Sequence, residues 1–198
     1  MSFEANAIPQ TLWQYTENAT YEATAESEYA ADGSGPLGVP NGAAFALYRA
    51  PDSIFEAVGD TFHPSLPADR GHLLFQYSTT PLSGGLPDVS IISPFVAVAQ
   101  PEDSGYMELA SADYRDAPLI YSNYFGSAGD KAAILYGYKL IRNITQDPSF
   151  GQFLVRELYP GNNVTTDEEL WTAISNGAST FHHPVRPSSY RLFRVRIH

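Results

Sequence analysis

Pro101-Glu102-Asp103-Ser104-Gly105-Tyr106-Met107-Glu108-Leu109-Ala110-Ser111 opens a run that passes through Pro118-Leu119-Ile120-Tyr121-Ser122-Asn123-Tyr124-Phe125 and reaches Phe181-His182-His183-Pro184-Val185. Its first part predicts a strand over 106–111, with Met107 and Leu109 on one face and Glu108 on the other. Ile134, Tyr138, Ile141 and Ile144 recur at helical spacing and predict a helix within 127–153. Asp130 is its expected N-cap and Pro148 its stop. Thr166-Asp167-Glu168-Glu169 reads as a capping box, with acids at the positive end of a second helix that runs through Leu170, Trp171 and Ile174 to Gly177.

Working back toward residue 1, the Ala- and Glu-rich stretch 18–32 predicts a helix ended by Gly33, followed by a Gly- and Pro-rich loop through Gly42. Strands are expected over 43–49 and 72–78. In the second, Leu73, Phe75 and Tyr77 share one face. A short helix is expected over 53–59 and a loop over 81–87. Val89 to Ala99 reads as a buried strand with an irregularity at Pro94. Strands with helices segregated between and after them give an α+β domain, a mostly antiparallel sheet with flanking helices.

The 198 residues suit one domain with a real core. A formal charge of -11 argues against nucleic acid and against an anionic membrane surface, both of which call for basic patches. The chain has no cysteine, so disulfides and thiolate metal sites are excluded. Residues 1–17 lack the basic start and apolar stretch of a signal peptide, and no segment is apolar for long enough to span a bilayer, so a soluble chain is expected. Asn-x-Thr sequons at Asn18, Asn143 and Asn163 exceed the roughly one that chance supplies, which hints at a secreted parent protein.

Gly33-Ser34-Gly35-Pro36-Leu37-Gly38 matches the spacing of a dinucleotide-binding turn. That turn needs a strand before it and a helix after it, so that a helix N-terminus faces the pyrophosphate. Here a helix precedes it, and Pro36 and Pro40 oppose one starting inside it. It reads as a plain glycine loop, and no cofactor-binding residue is assigned. The His182-His183 pair is more interesting chemically. An imidazole titrates near working pH and can take a hydroxyl proton, and the following Pro-Val stiffens the backbone that carries it. Read alone, such a pair is a loop feature. Neighbouring residues of an extended chain point opposite ways, so a shared metal ion is not expected.

The ordered run from Pro101 to Val185 resembles the C-terminal, substrate-binding half of the glucose-methanol-choline (GMC) family of flavin oxidoreductases. The resemblance is specific over 101–185 and diffuse over 1–100. It implies FAD as cofactor and an alcohol or sugar as substrate, with oxygen or another acceptor. It assigns the catalytic base to His183, the His immediately before Pro184-Val185, with His182 as a substrate-binding neighbour. The family's Gly-Thr continuation is replaced by Arg186-Pro187, and its later second active-site residue has no counterpart. Glu157 and Pro160-Gly161 fit the family pattern too. Glu157 is expected to anchor a loop, with an active-site acid as the alternative. Tyr48, Phe75, Tyr77 and Phe95 either line a pocket facing the flavin or, as alternating strand residues, build the core.

From Arg186 to His198 the chain carries four Arg and no acid, against seven Lys and Arg in all that precedes. Phe193, Val195 and Ile197 alternate with Arg194, Arg196 and His198, a pattern able to form a basic edge strand that docks on an acidic face. The preferred reading is sequence foreign to the family. The expected organisation is therefore a GMC-type substrate-binding domain over 1–185 and a basic tail over 186–198. The domain is expected to be inactive alone, with a separate flavin domain as possible partner. The alternative is a non-catalytic module that binds a sugar or a protein.

Overall fold

A computed structural model describes residues 1–6, 11–39, 44–81 and 89–181. Among them five strands form one antiparallel sheet. Its members are β1 (Ser2–Ala5), β2 (Phe45–Tyr48), β3 (Leu73–Ser78), β4 (Ser90–Val98) and β7 (Leu154–Tyr159), ordered β2-β3-β4-β1-β7. The pair β5 (Tyr106–Glu108) and β6 (Leu119–Tyr121) forms a separate antiparallel ribbon. The helices are α1 (Leu12–Glu17), α2 (Ala19–Asp32), α3 (Asp52–Glu56), α4 (Phe62–Ser65), α5 (Ala128–Gln146), α6 (Pro148–Gly151) and α7 (Asp167–Gly177). The α+β class with a mostly antiparallel sheet is as the sequence predicts.

β4 is the organising strand. Its first part, Ser90 to Ile92, pairs with β1, and its second, Ser93 to Val98, pairs with β3. The Pro94 irregularity falls beside the point where one pairing gives way to the other. On one face of the sheet Leu73, Phe75, Val96, Val98 and Tyr48 pack against Phe55 of α3 and Ala133 and Tyr136 of α5. Phe3 and Met1 continue this layer against Ile141, and Ile134 joins Leu170 and Ile174 of α7. The buried positions of α5 (Gly129, Asp130, Ala133, Ile134, Gly137, Ile141 and Thr145) follow helical spacing, so one stripe of the helix is turned inward. Gly137 allows this approach, since a Cβ there would come within 2.9 Å of a Val96 methyl. Tyr48 and Phe75 are thus core residues, as their strand alternation suggests.

Several expectations need correction. Ser127, not Asp130, caps α5: its side chain accepts the Asp130 amide at 3.0 Å, and Asp130 turns inward, 3% exposed. Both residues are good caps, and the local pattern alone favours neither. The expected strand over 106–111 stops at Glu108, whereas α5 ends just before Pro148 as expected and the short α6 follows. β1, β7, α1 and α4 were not expected. The rejected glycine motif follows α2 directly, with Gly33 left-handed (φ 76°) as its C-cap, and continues into a 3-10 turn over Pro36–Gly38. The capping box at Thr166 and Glu169 is present as predicted. Among the described residues no helix is long and apolar enough to cross a membrane.

Candidate functional site

Alternation sends every second side chain of the sheet away from α5. The register groups these side chains: Phe45 lies opposite Gln76 and Gln76 opposite Phe95, while Leu47 lies opposite Leu74 and Leu74 opposite Ala97. They alternate with the core residues Tyr48, Phe75, Leu73, Val96 and Val98, and so form the opposite face. Phe45 and Leu47 are 72% and 64% exposed, so this face is uncovered at its β2 edge. Further along, the Ser2 and Ser93 hydroxyls share a hydrogen bond of 3.0 Å and Glu4 pairs with Arg156 at 2.8 Å.

Phe181 closes this face from above. Its ring lies 5.5 Å from that of Phe95, tilted by 50°, so the chain beyond α7 returns to the centre of the sheet. His182 and His183 follow directly in sequence but lie outside the described residues, as does the tail 186–198. Phe45, Leu47, Leu74, Phe95, Ala97 and Phe181 make the wall apolar and partly aromatic, and Gln76 is its polar member. Among the described residues this apolar stretch carries no titratable side chain, and the Glu4–Arg156 pair lies further along.

Two charged clusters lie elsewhere. Arg142 on α5 donates to both oxygens of Glu157 on β7, at 2.8 and 3.2 Å, and to the carbonyls of Val164 and Gly161 at 2.7 and 3.3 Å. Glu157 also accepts the Gly161 amide at 3.1 Å. The cluster ties the loop after the cis Tyr159–Pro160 bond to α5, which makes Glu157 the loop anchor expected of it. The second cluster is Asp60, His63 and Asp130, with side chains 3%, 0% and 4% exposed. His63 Nδ1 lies 2.5 Å from Asp60 Oδ2, and Nε2 lies 3.3 Å from Asp130 Oδ1. The imidazole stacks on Phe55 at 4.6 Å, and no substrate could reach it.

Sequence reasoning singled out neither Asp60 nor His63. The Asp-x-x-His spacing was the one local signal, and the third member lies far along the chain. His72 is also fully buried. Burial, then the charges of Arg49 and His63, push its pKa below the ordinary imidazole value, so it is neutral. Among the described residues no group of His, Cys, Asp or Glu is arranged to hold a metal ion.

Residues 101–192 match the family model described as GMC oxidoreductase. An alcohol dehydrogenase [acceptor] of Pseudomonas putida is 38% identical over 85 residues, which are 43% of this chain and 15% of the relative. Choline oxidase of Arthrobacter globiformis is 32% identical over 127 residues, 59% of this chain and 23% of that one. A solved formate oxidase from Aspergillus oryzae, determined to follow FAD modification, shares the fold with a TM-score of 0.74 and 20% identity, over 92% of this chain and 34% of its own. The chain thus spans less than a quarter of those two curated relatives and about a third of the solved one.

Proposed function

We propose that this chain, whose residues 101–192 match the family model described as GMC oxidoreductase, is the substrate-binding portion of an FAD-dependent oxidoreductase acting on CH–OH groups of alcohols or sugars. His183 is the base that takes the hydroxyl proton, and His182 contacts the substrate. The observation that carries this reading is the contact of Phe181 with Phe95. Phe181 immediately precedes the His182-His183 pair in sequence. Phe95, Gln76 and Phe45 would hold the substrate's carbon skeleton on the sheet face, while the imidazole of His183 accepts its proton.

FAD supplies hydride acceptance in this family reading. The described residues do not fit a dinucleotide: the one glycine-rich turn follows a helix rather than a strand and presents no helix N-terminus to a pyrophosphate. The flavin would be held by sequence other than these residues, and the chain alone would not turn over. The exposed side chains of Asn18, Asn143 and Asn163 leave room for glycans, which suits a secreted parent.

Titration calorimetry of the purified chain against FAD, choline, benzyl alcohol and glucose tests this reading. We expect no measurable binding of any alcohol or sugar without flavin. Sugar or alcohol affinity that is indifferent to FAD would instead identify a self-standing binding module.

A further inference from the structure

The Asp60–His63–Asp130 cluster has a role that substrate chemistry does not explain. We propose that His63 carries its proton at neutral pH as a buried bridge between the two carboxylates. This bridge clasps the segment entering the β5–β6 ribbon to the start of α5, and the clasp opens when the proton leaves.

Geometry favours the charge. Nδ1 is hydrogen-bonded to Asp60 Oδ2 at 2.5 Å, while Nε2 lies 3.3 Å from Asp130 Oδ1, within ion-pair distance but without hydrogen-bond geometry, in a buried site. Carboxylates only accept hydrogen bonds, and a neutral imidazole has one donor. A neutral His63 would therefore set a lone pair against an anion in a low-dielectric interior, where the mismatch is costly. The two acids are held in place independently. Asp60 Oδ1 accepts the Phe62 amide at 2.7 Å, and Asp130 lies in the first turn of α5, where the helix dipole favours a negative charge. Gly129 leaves the space they need, since a Cβ there would run into Asp60 Oδ2 and come within 2.8 Å of His63 Nδ1.

The clasp is the remaining bond. Asp130 Oδ1, the oxygen facing His63, also accepts the backbone amide of Glu102 at 3.1 Å. Glu102 opens the short stretch leading into β5, so one oxygen joins the imidazolium, α5 and the base of the ribbon. The groups facing the ring are few. Asp60 comes from the turn before α4 and Asp130 from α5, Phe55 of α3 stacks on it, and Phe62 and neutral His72 meet it edge-on, at 5.1 and 5.7 Å. Burial alone lowers the His63 pKa. Hydrogen bonds to Asp130 and Asp60, and their charges, outweigh it and leave the pKa raised. A raised pKa means stability that is complete below about 6.5, the ordinary imidazole value, and lost as pH rises through the folded-state value.

The test is nuclear magnetic resonance on the whole chain. Long-range nitrogen–proton spectra should show His63 as an imidazolium at pH 7, titrating above the ordinary range. Exchange of the Glu102 amide, corrected for intrinsic base catalysis, should rise about tenfold across that titration. A neutral His63 at pH 7, or Glu102 protection that ignores its titration, would overturn the proposal. In His63→Gln the pH-dependent step in Glu102 exchange should vanish. Its persistence there would assign the step to another group and equally refute the clasp. Should that variant not fold, the wild-type titration alone decides.

Discussion

Glu157 accepts three hydrogen bonds while only 5% of its side chain is exposed, and Arg142, its partner, is 18% exposed. Replacing one member of such a pair strands the other charge away from water. Glu157→Gln should cost about 3 kcal/mol in chemical denaturation, with the denaturant slope unchanged. A loss well under 1 kcal/mol would mean that solvent already screens the pair. This anchor was legible because a lone acid ahead of Pro-Gly, with no base in sequence reach, suits a loop tie better than catalysis. Asp130 was legible as a helix-start residue but not in its inward role. Its partners Asp60, His63 and Glu102 come from other segments, and only folding brings them together.

Among the elements, α7 shows how local rules decide structure. Thr166 Oγ1 accepts the Glu169 amide at 3.2 Å, and Glu169 returns the bond to the Thr165 and Thr166 amides at 3.0 and 3.1 Å. These bonds hold the Glu169 carboxyl below its usual pKa, so their stabilising effect is present above the ordinary carboxylate range and lost as pH falls through the lowered value. Thr166→Ala should lower stability by about 1 kcal/mol in thermal unfolding, and an unchanged melting temperature would show that packing of Leu170 and Ile174 alone sets the helix. Helices with caps and long strands with alternation were readable. β1 was not, because its four residues are too few to show a period, yet it sits inside the sheet between β4 and β7. β7 was not readable either, because Leu154-Val155-Arg156-Glu157-Leu158-Tyr159 shows no clean alternation of apolar and polar residues. The β5–β6 ribbon is shorter than its apolar alternation implies and is exposed on both faces. Tyr106 stacks on Tyr121 at 4.4 Å, while Met107 and Ile120 lie opposite each other on the other side.

Taken whole, the molecule has one closed face and one unfinished one. Helices α3, α5 and α7 cover one side of the sheet, while Phe45 and Leu47 stand exposed on the other beside the ring pair of Phe95 and Phe181. Phe45, Leu47 and the ribbon residues Tyr106, Met107, Leu119, Ile120 and Tyr121 leave large apolar side chains exposed. This exposure agrees with a chain spanning about a third of the solved formate oxidase. The family resemblance carried the fold class because the ordered run from Pro101 lies mostly in described structure. The histidine assignment rests on the family resemblance, since His182 and His183 lie outside the described residues.

Under the proposed function, substrate and proton are handled by this segment while the redox group is held by other sequence. Visible absorbance of the purified chain, recorded before and after anaerobic addition of a primary alcohol, tests it most directly. The account predicts no flavin bands and no change on adding the alcohol. A bound yellow chromophore that bleaches with the alcohol would contradict it.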